Sequence, residues 1–273
     1  MFRIVSDIHL EHWCYGAFTK QDIAVHMSKA LPPGPADKDT TLILAGDISQ
    51  HHIQRKWMLE AVSPRFKKIV YVAGNHEHWA NRLTDWNGEA QNFEADFANV
   101  YVGQTNEACR TNIGTEEAPL DVIYATMWAP YGKDNPVYEA ALTCNADCSR
   151  IMADWTLRQC NPKDFQDMHT TELEWIKTAL IESHRQGVNT AVVTHHVPSL
   201  KLRLPGLGPD PFDDMFMSPH AECFMHEDWA PKFWFFGHTH KAWDIQIGKT
   251  RCVSNPFGYP GERYMGWISN KTV

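Results

Sequence analysis

The sequence predicts an α/β fold, a sheet of buried strands with helices packed on its faces. Three observations carry that expectation. Short apolar runs rich in β-branched and aromatic residues recur along the chain without polar alternation, as strands buried on both faces do. Helical patterns lie between them, the order that a sheet with covering helices requires. Five of the runs end in acidic, amide or imidazole side chains, and in such sheets ligands bind outside the carboxyl ends of the strands.

Taken in order, residues 2–5 run into Ser6-Asp7-Ile8-His9, and residues 41–45 into Gly46-Asp47. Residues 69–73 lead to Gly74-Asn75-His76-Glu77, residues 191–193 to Thr194-His195-His196, and residues 233–236 to Gly237-His238-Thr239-His240. Leu31-Pro32-Pro33-Gly34-Pro35 reads as a surface loop. The clearest helix starts at a capping box, Thr171 with Glu174, keeps Leu173, Ile176 and Leu180 at helical spacing, and stops at Gly187. At the last strand end Gly237 is expected to let the backbone turn sharply, so that His238 and His240 both reach inward.

A chain of 273 residues and 31.3 kDa can bury a substantial core, and 1–273 is expected to form one domain. The formal net charge of −8 argues against a polyanion-binding groove, so no long nucleic acid is expected as partner. Seven scattered cysteines, an odd number, give no disulfide framework and point to a reduced, cytoplasmic setting. Cys144 and Cys148 stand four apart but lack a second Cys/His pair at zinc-finger spacing. Residues 1–7 show no basic segment leading into a long apolar stretch, and nowhere do 18 apolar residues run together. Neither a secretory signal nor a membrane partner is therefore expected.

The strand ends together offer Asp7, His9, Asp47, Asn75, His76, His195 or His196, His238 and His240. Imidazole nitrogen and carboxylate oxygen without thiolate suit Mn, Fe, Zn or Ni. So many donors exceed the need of one ion and suit two divalent ions about 3.5–4 Å apart. Singly, Asp7 could cap a turn, Asp47 could be a loop acid, and Asn75-His76 could be turn chemistry. Their joint occurrence favours a metal centre. His12, His51, His52, His78 and His220 fall outside the pattern and read as surface residues or as supports behind the ligands. Trp13, Trp79 and Trp128 read as core, with a substrate cleft as the alternative.

In this order the motifs resemble those of the calcineurin-like metallophosphoesterases: Asp7-Ile8-His9, Gly46-Asp47, Gly74-Asn75-His76-Glu77, Thr194-His195 after an apolar strand, and Gly237-His238-Thr239-His240. The resemblance spans residues 2 to about 261, with Asn255-Pro256-Phe257-Gly258-Tyr259 similar to a family closing loop. It implies a four-layer α/β/β/α sandwich. It also implies that Asp7, His9 and His240 hold one metal, that Asn75, His195 and His238 hold the other, and that Asp47 bridges them, with manganese foremost among the ions. His195 is preferred to His196 because the first histidine after the strand is the usual ligand and successive residues point to opposite sides at a strand end. The related H-x-P pattern of His196-Val197-Pro198 is the competing reading. His76 matches a non-ligand position beside the phosphate, assigned to leaving-group protonation or charge stabilisation.

The implied reaction is hydrolysis of a small phosphoester without a covalent intermediate: two cations lower the pKa of a bridging water and neutralise phosphoryl oxygens as hydroxide attacks in line. Family members that act on phosphoproteins carry arginines just after the G-D and G-N-H-E motifs. Here those positions read Ile48-Ser49-Gln50-His51-His52 and His78-Trp79-Ala80. Without a guanidinium to clamp a dianion, a small phosphodiester is expected over a phosphomonoester. Trp79 would offer a flat surface to a base or aryl group, and Arg203 or Arg263 could substitute for the absent arginines. Residues 104–170 are expected to shape specificity, Trp128-Ala129-Pro130-Tyr131 and Asn145-Ala146-Asp147 among them. Two other classes are disfavoured. The full ligand set with His76 speaks against a scaffold without turnover, and the motif order speaks against a binuclear hydrolase of amides.

Overall fold

A computed structural model describes residues 1–14, 18–132, 145–153, 158–204, 206, 210, 212–262 and 266–273. Two sheets set its frame. β1 (Phe2–Val5), β2 (Thr41–Ala45), β3 (Lys68–Val72) and β4 (Val100–Val102) pair in that spatial order, all parallel. The second sheet joins β5 (Cys109–Asn112), β6 (Leu120–Tyr124), β7 (Asn189–Val193), β8 (Phe233–Phe236), β9 (Trp243–Ile247) and β10 (Thr250–Ser254). Its order is β5-β6-β7-β8-β10-β9, parallel in the middle and antiparallel at both edges.

Strand alternation divides the apolar side chains between three cores. Ile43 and Ala45 of β2 and Val70 and Val72 of β3 point to the second sheet, where they meet Val122, Val193, Phe235 and Val253. Their neighbours Leu42, Leu44, Ile69 and Tyr71 point the other way, onto α2 (Lys20–Ala30), α3 (His52–Val62) and α4 (Asp85–Asp96), through Ile23, Met58 and Phe93. On the far side Trp234 and Phe236 of β8 meet Ile176 and Leu180 of a long helix, Pro162–Arg185. Both faces of each sheet are thus covered, in a four-layer α/β/β/α sandwich. Each fully buried Leu, Ile or Phe contributes roughly 1.5–3 kcal/mol, which is why the strands read as unbroken apolar runs. The short helices α1 (Leu10–Trp13) and α5 (Ala146–Arg150) flank the strand ends, and the long helix is numbered α6. No helix of the described residues is long and apolar enough to cross a membrane.

The start of α6 corrects the expectation of a capping box at Thr171. The cap lies ten residues earlier, where Asn161 accepts from the Lys163 and Asp164 N–H groups, Asp164 reaches back to the Asn161 N–H, and Pro162 occupies the first turn. Thr171 lies inside the helix and donates its hydroxyl to the Asp167 carbonyl at 2.9 Å. A hydroxyl satisfied by the preceding turn mimics a cap in sequence. Gly187, at φ 70°, does follow the last turn.

Candidate metal centre

The strand-end loops carry the donor side chains on an unusual backbone. Asp7, His9, Asp47, His238 and His240 take φ values of 51°, 50°, 54°, 71° and 50°. That left-handed region costs non-glycine residues of order 1–3 kcal/mol each and is concentrated at functional sites. Asp and His tolerate it better than most. Hydrogen bonds between loops offset the strain. The Asp7 N–H donates to the Gly46 carbonyl and the His9 N–H to the Asp47 carbonyl, while the His238 N–H donates to Asp7 Oδ1 and the His76 N–H to Asp47 Oδ1, all at 2.9–3.0 Å. Beneath them the buried Glu77 carboxylate accepts from the N–H groups of Asp47, Ile48 and Gly74 at 2.7–3.0 Å and from the Tyr71 hydroxyl at 2.8 Å.

Gly237 does not supply the turn expected of it; the left-handed residues are His238 and His240 themselves. The glycine is required for space, because a Cβ there would stand 2.6 Å from the Ala45 carbonyl. Gly74 is similar, since its Cβ would stand 2.6 Å from Asp47 N. Both let loops from different strands touch.

The side chains converge in two groups. In the first, His9 Nε2 lies 3.0 Å from His240 Nε2, which lies 3.5 Å from Asp7 Oδ1. In the second, His195 Nε2 lies 3.1 Å from both Asn75 Oδ1 and His238 Nδ1. Asp47 stands between them, with Oδ2 at 3.7 Å from His9 Nε2 and 3.5 Å from His195 Nε2. His196 points away. Its ring is buried against Trp128 and lies tilted behind His238, with centroids 4.4 Å apart, and neither of its nitrogens finds a hydrogen-bond partner.

The outward nitrogens show that this set fits cations. His9 Nδ1 faces Glu11 at 3.3 Å, His240 Nδ1 faces Glu262 at 2.7 Å, and His195 Nδ1 faces the Ala45 carbonyl at 2.9 Å. Each of these acceptors requires a proton on Nδ1, so in the neutral ring the lone pair lies on Nε2, turned inward. Lone pairs then meet lone pairs, and carboxylate oxygens, at 3.0–3.7 Å. Positive charge among them resolves the repulsion. Burial lowers the His195 pKa, but the Asp47 charge outweighs burial and draws it up to about 10. The carboxylates thus attract positive charge to this point, whether proton or metal.

His76 sits outside both groups. Its Nδ1 donates to Glu11 Oε1 at 2.9 Å, its Nε2 lies 3.3 Å from the Tyr259 hydroxyl, and its ring lies against the Trp79 indole, with centroids 3.4 Å apart. Burial pulls its pKa down, but the charges of Asp47 and Glu11 prevail and raise it. Glu11 is correspondingly held at about 2, because the hydrogen bonds from His76 and His9 overcome the opposing effect of burial.

The sequence reading missed the supports of the site. Glu11 follows Asp7-Ile8-His9 by two residues and carried a signal in its nearness. Asp147, read only as part of the specificity-shaping segment, and Glu262 carried no signal of this role, since they meet Asn75 and His240 across 72 and 22 residues. Among the histidines set aside, His51 and His52 are exposed, whereas His78 is buried between Trp86 and Trp128 and neither ring nitrogen finds a hydrogen-bond partner. Trp79 lines the cleft above the two groups, though little of its ring is open to a substrate. It is 8% exposed, with His76 on one face and the Arg150 guanidinium 4.2 Å from its centroid. Trp128 is core. Arg203 is ion-paired with Asp213 through a forked contact. Arg263 and Cys144 lie outside the described residues.

A cleft of about 800 Å³ opens above the two groups, with Asp47, Asn75, His76, His238 and His240 in its wall. Phe212, Phe216, Tyr259, Asp210 and Glu262 also line it, and no arginine or lysine is among its described lining residues.

Residues 2–242 match the model of the calcineurin-like phosphoesterase family. The chain belongs to this family. It is a hydrolase of phosphoester bonds, from a family that depends on a binuclear metal centre. An uncharacterized protein of Acanthamoeba polyphaga mimivirus is 22% identical over 96% of this chain and 92% of its own length. An [acyl-carrier-protein] phosphodiesterase, PptH, of Mycobacterium tuberculosis is 40% identical over 45 residues, 16% of this chain and 14% of that protein. The crystal structure of the M. tuberculosis phosphopantetheinyl hydrolase PptH superposes with a TM-score of 0.66 at 18% identity, covering 96% of this chain and 90% of that one. A putative 5'-nucleotidase from Staphylococcus aureus gives 0.50 at 12% identity, over 94% of this chain and 48% of its own.

Proposed function

We propose that the chain hydrolyses small phosphodiesters, with Asp7, His9 and His240 holding one divalent ion, Asn75, His195 and His238 the other, and Asp47 bridging them. The observation that carries the diester reading is the cleft, whose described lining offers no arginine or lysine to a dianionic monoester. The ions, manganese foremost, would supply a nucleophilic hydroxide for in-line attack and neutralise the phosphoryl oxygens. The protein does the rest. Glu11, Glu262 and the Ala45 carbonyl fix the tautomers of His9, His240 and His195, and Glu77 ties the loops of Asp47 and Gly74 together. His76, backed by Glu11, is placed to give a proton to the departing oxygen. A relative's name as a phosphodiesterase agrees with this choice. Residues 104–170 act as the specificity-shaping part of a single domain, and the free described cysteines suit a reducing cytoplasm.

The test compares bis-p-nitrophenyl phosphate with p-nitrophenyl phosphate on metal-stripped protein reconstituted with Mn²⁺. The diester is expected to show the higher kcat/KM. A tenfold preference for the monoester, about 1.4 kcal/mol at the transition state, would overturn the diesterase reading.

A further inference from the structure

One buried carboxylate reaches the donor groups through an amide rather than through an imidazole or a loop N–H. Asp147, in α5, is 4% exposed, and its Oδ1 accepts from both Asn75 Nδ2 at 3.0 Å and Trp79 Nε1 at 2.7 Å. A carboxamide is nearly symmetric in shape, so its partners decide which end faces a given point. Asp147 Oδ1 serves as acceptor here, and it therefore takes the NH₂ end of Asn75. The Oδ1 end is left facing His195 Nε2 at 3.1 Å. The same carboxylate oxygen holds the indole whose face lies against the His76 ring. Asp147 is itself anchored. Its N–H donates to Asn145 Oδ1 at 2.7 Å, and Asn145 Nδ2 donates to the Tyr131 hydroxyl at 2.7 Å.

We infer that Asp147 is a positioning residue, which aims the Asn75 oxygen at the metal centre and braces Trp79 against His76. The inference rests on the ligand assignment proposed above. It makes α5, far from the ligand loops in sequence, a structural part of the centre: movement of this segment would turn a ligand and loosen the proton donor together. The role differs from substrate contact, although Asp147 also borders the cleft, and metal affinity separates the two.

The experiment titrates metal-stripped protein with Mn²⁺ in a calorimeter and measures kcat and KM on bis-p-nitrophenyl phosphate. Wild type is expected to bind two ions. Asp147→Leu, which removes the acceptor, should weaken one ion by about 10–100-fold, the usual effect of losing a group that orients a ligand, and leave the other unchanged. Its kcat should fall while KM stays constant. Asp147→Asn keeps an acceptor oxygen and should restore most of the lost affinity. If Asp147→Leu fails to fold, Asp147→Ala, which also removes the acceptor, takes its place with the same loss expected. Unchanged affinity for both ions in these variants overturns the inference, as does a raised KM with intact metal binding, which would make Asp147 a substrate contact. Fewer than two ions on wild type, or two retained by His238→Ala, would instead overturn the ligand assignment and this inference with it.

Discussion

Replacing His76 by alanine tests the division of labour in the centre most directly. The ring is held between two carboxylates, with Glu11 Oε1 2.9 Å from Nδ1 and Asp47 Oδ2 3.9 Å from Nε2. At an effective dielectric near 20, each attracts a protonated imidazole by roughly 4–6 kcal/mol, which opposes the cost of burying the cation. A protonated ring can donate to the leaving oxygen, and loss of such a donor costs about 10²–10⁴-fold, roughly 3–5 kcal/mol. His76→Ala should therefore lower kcat by that factor on a dialkyl phosphodiester, whose alkoxide is a poor leaving group. On bis-p-nitrophenyl phosphate, whose phenolate departs without help, the loss should be about tenfold or less. The assay is steady-state release of alcohol or nitrophenol from Mn²⁺-loaded protein, with metal content measured by plasma mass spectrometry. Equal losses on the two substrates would refute proton donation, and one missing ion would show His76 to be a ligand.

Further predictions follow from the same geometry. Asp47→Asn keeps an oxygen for the His76 N–H and should fold, yet cut turnover by at least about two orders of magnitude; near wild-type turnover with both metals bound would count against bridging. His195→Ala should lose one ion in metal analysis while His196→Ala keeps both, because only His195 faces Asn75 and His238; the reverse pattern would transfer the ligand role. Burial lowers the pKa of His78 to about 3 and of His169 to about 4, so the unfolded chain binds protons below pH 6.5 that the fold refuses. Stability is thus present above pH 6.5 and lost as pH falls, by up to about 1.4 kcal/mol per pH unit for each residue. His169→Gln should remove about 1 kcal/mol of the loss between pH 6 and 5 in urea unfolding; an unchanged loss would show that His169 does not report this burial.

The donor set was legible because its spacing is local. Asp7 and His9, Asn75 and His76, and His238 and His240 each share one strand-end loop, and an apolar run announces each loop in the sequence. The same locality revealed β1, β2, β3, β7 and β8, buried on both faces. Other strands went unseen: β4 is an apolar run of only three residues, and the half-exposed β5 and β9 carry no unbroken apolar run.

By itself, the sequence determined the five buried strands that lead to the donors and which side chains stand at their ends, since both depend on neighbours a few residues apart. Only the tertiary structure decided the rest. It turned His195 towards Asn75 and sent His196 behind His238. It gave the left-handed turns to the histidines and the close approach to Gly237. It also set His76 and Arg150 against Trp79, and brought Glu11, Asp147 and Glu262 behind the strand-end donors. These outcomes depend on distances between segments separated by as many as 231 residues, as between Asp7 and His238. No local pattern encodes such distances, because the packing of two sheets with their helices sets them.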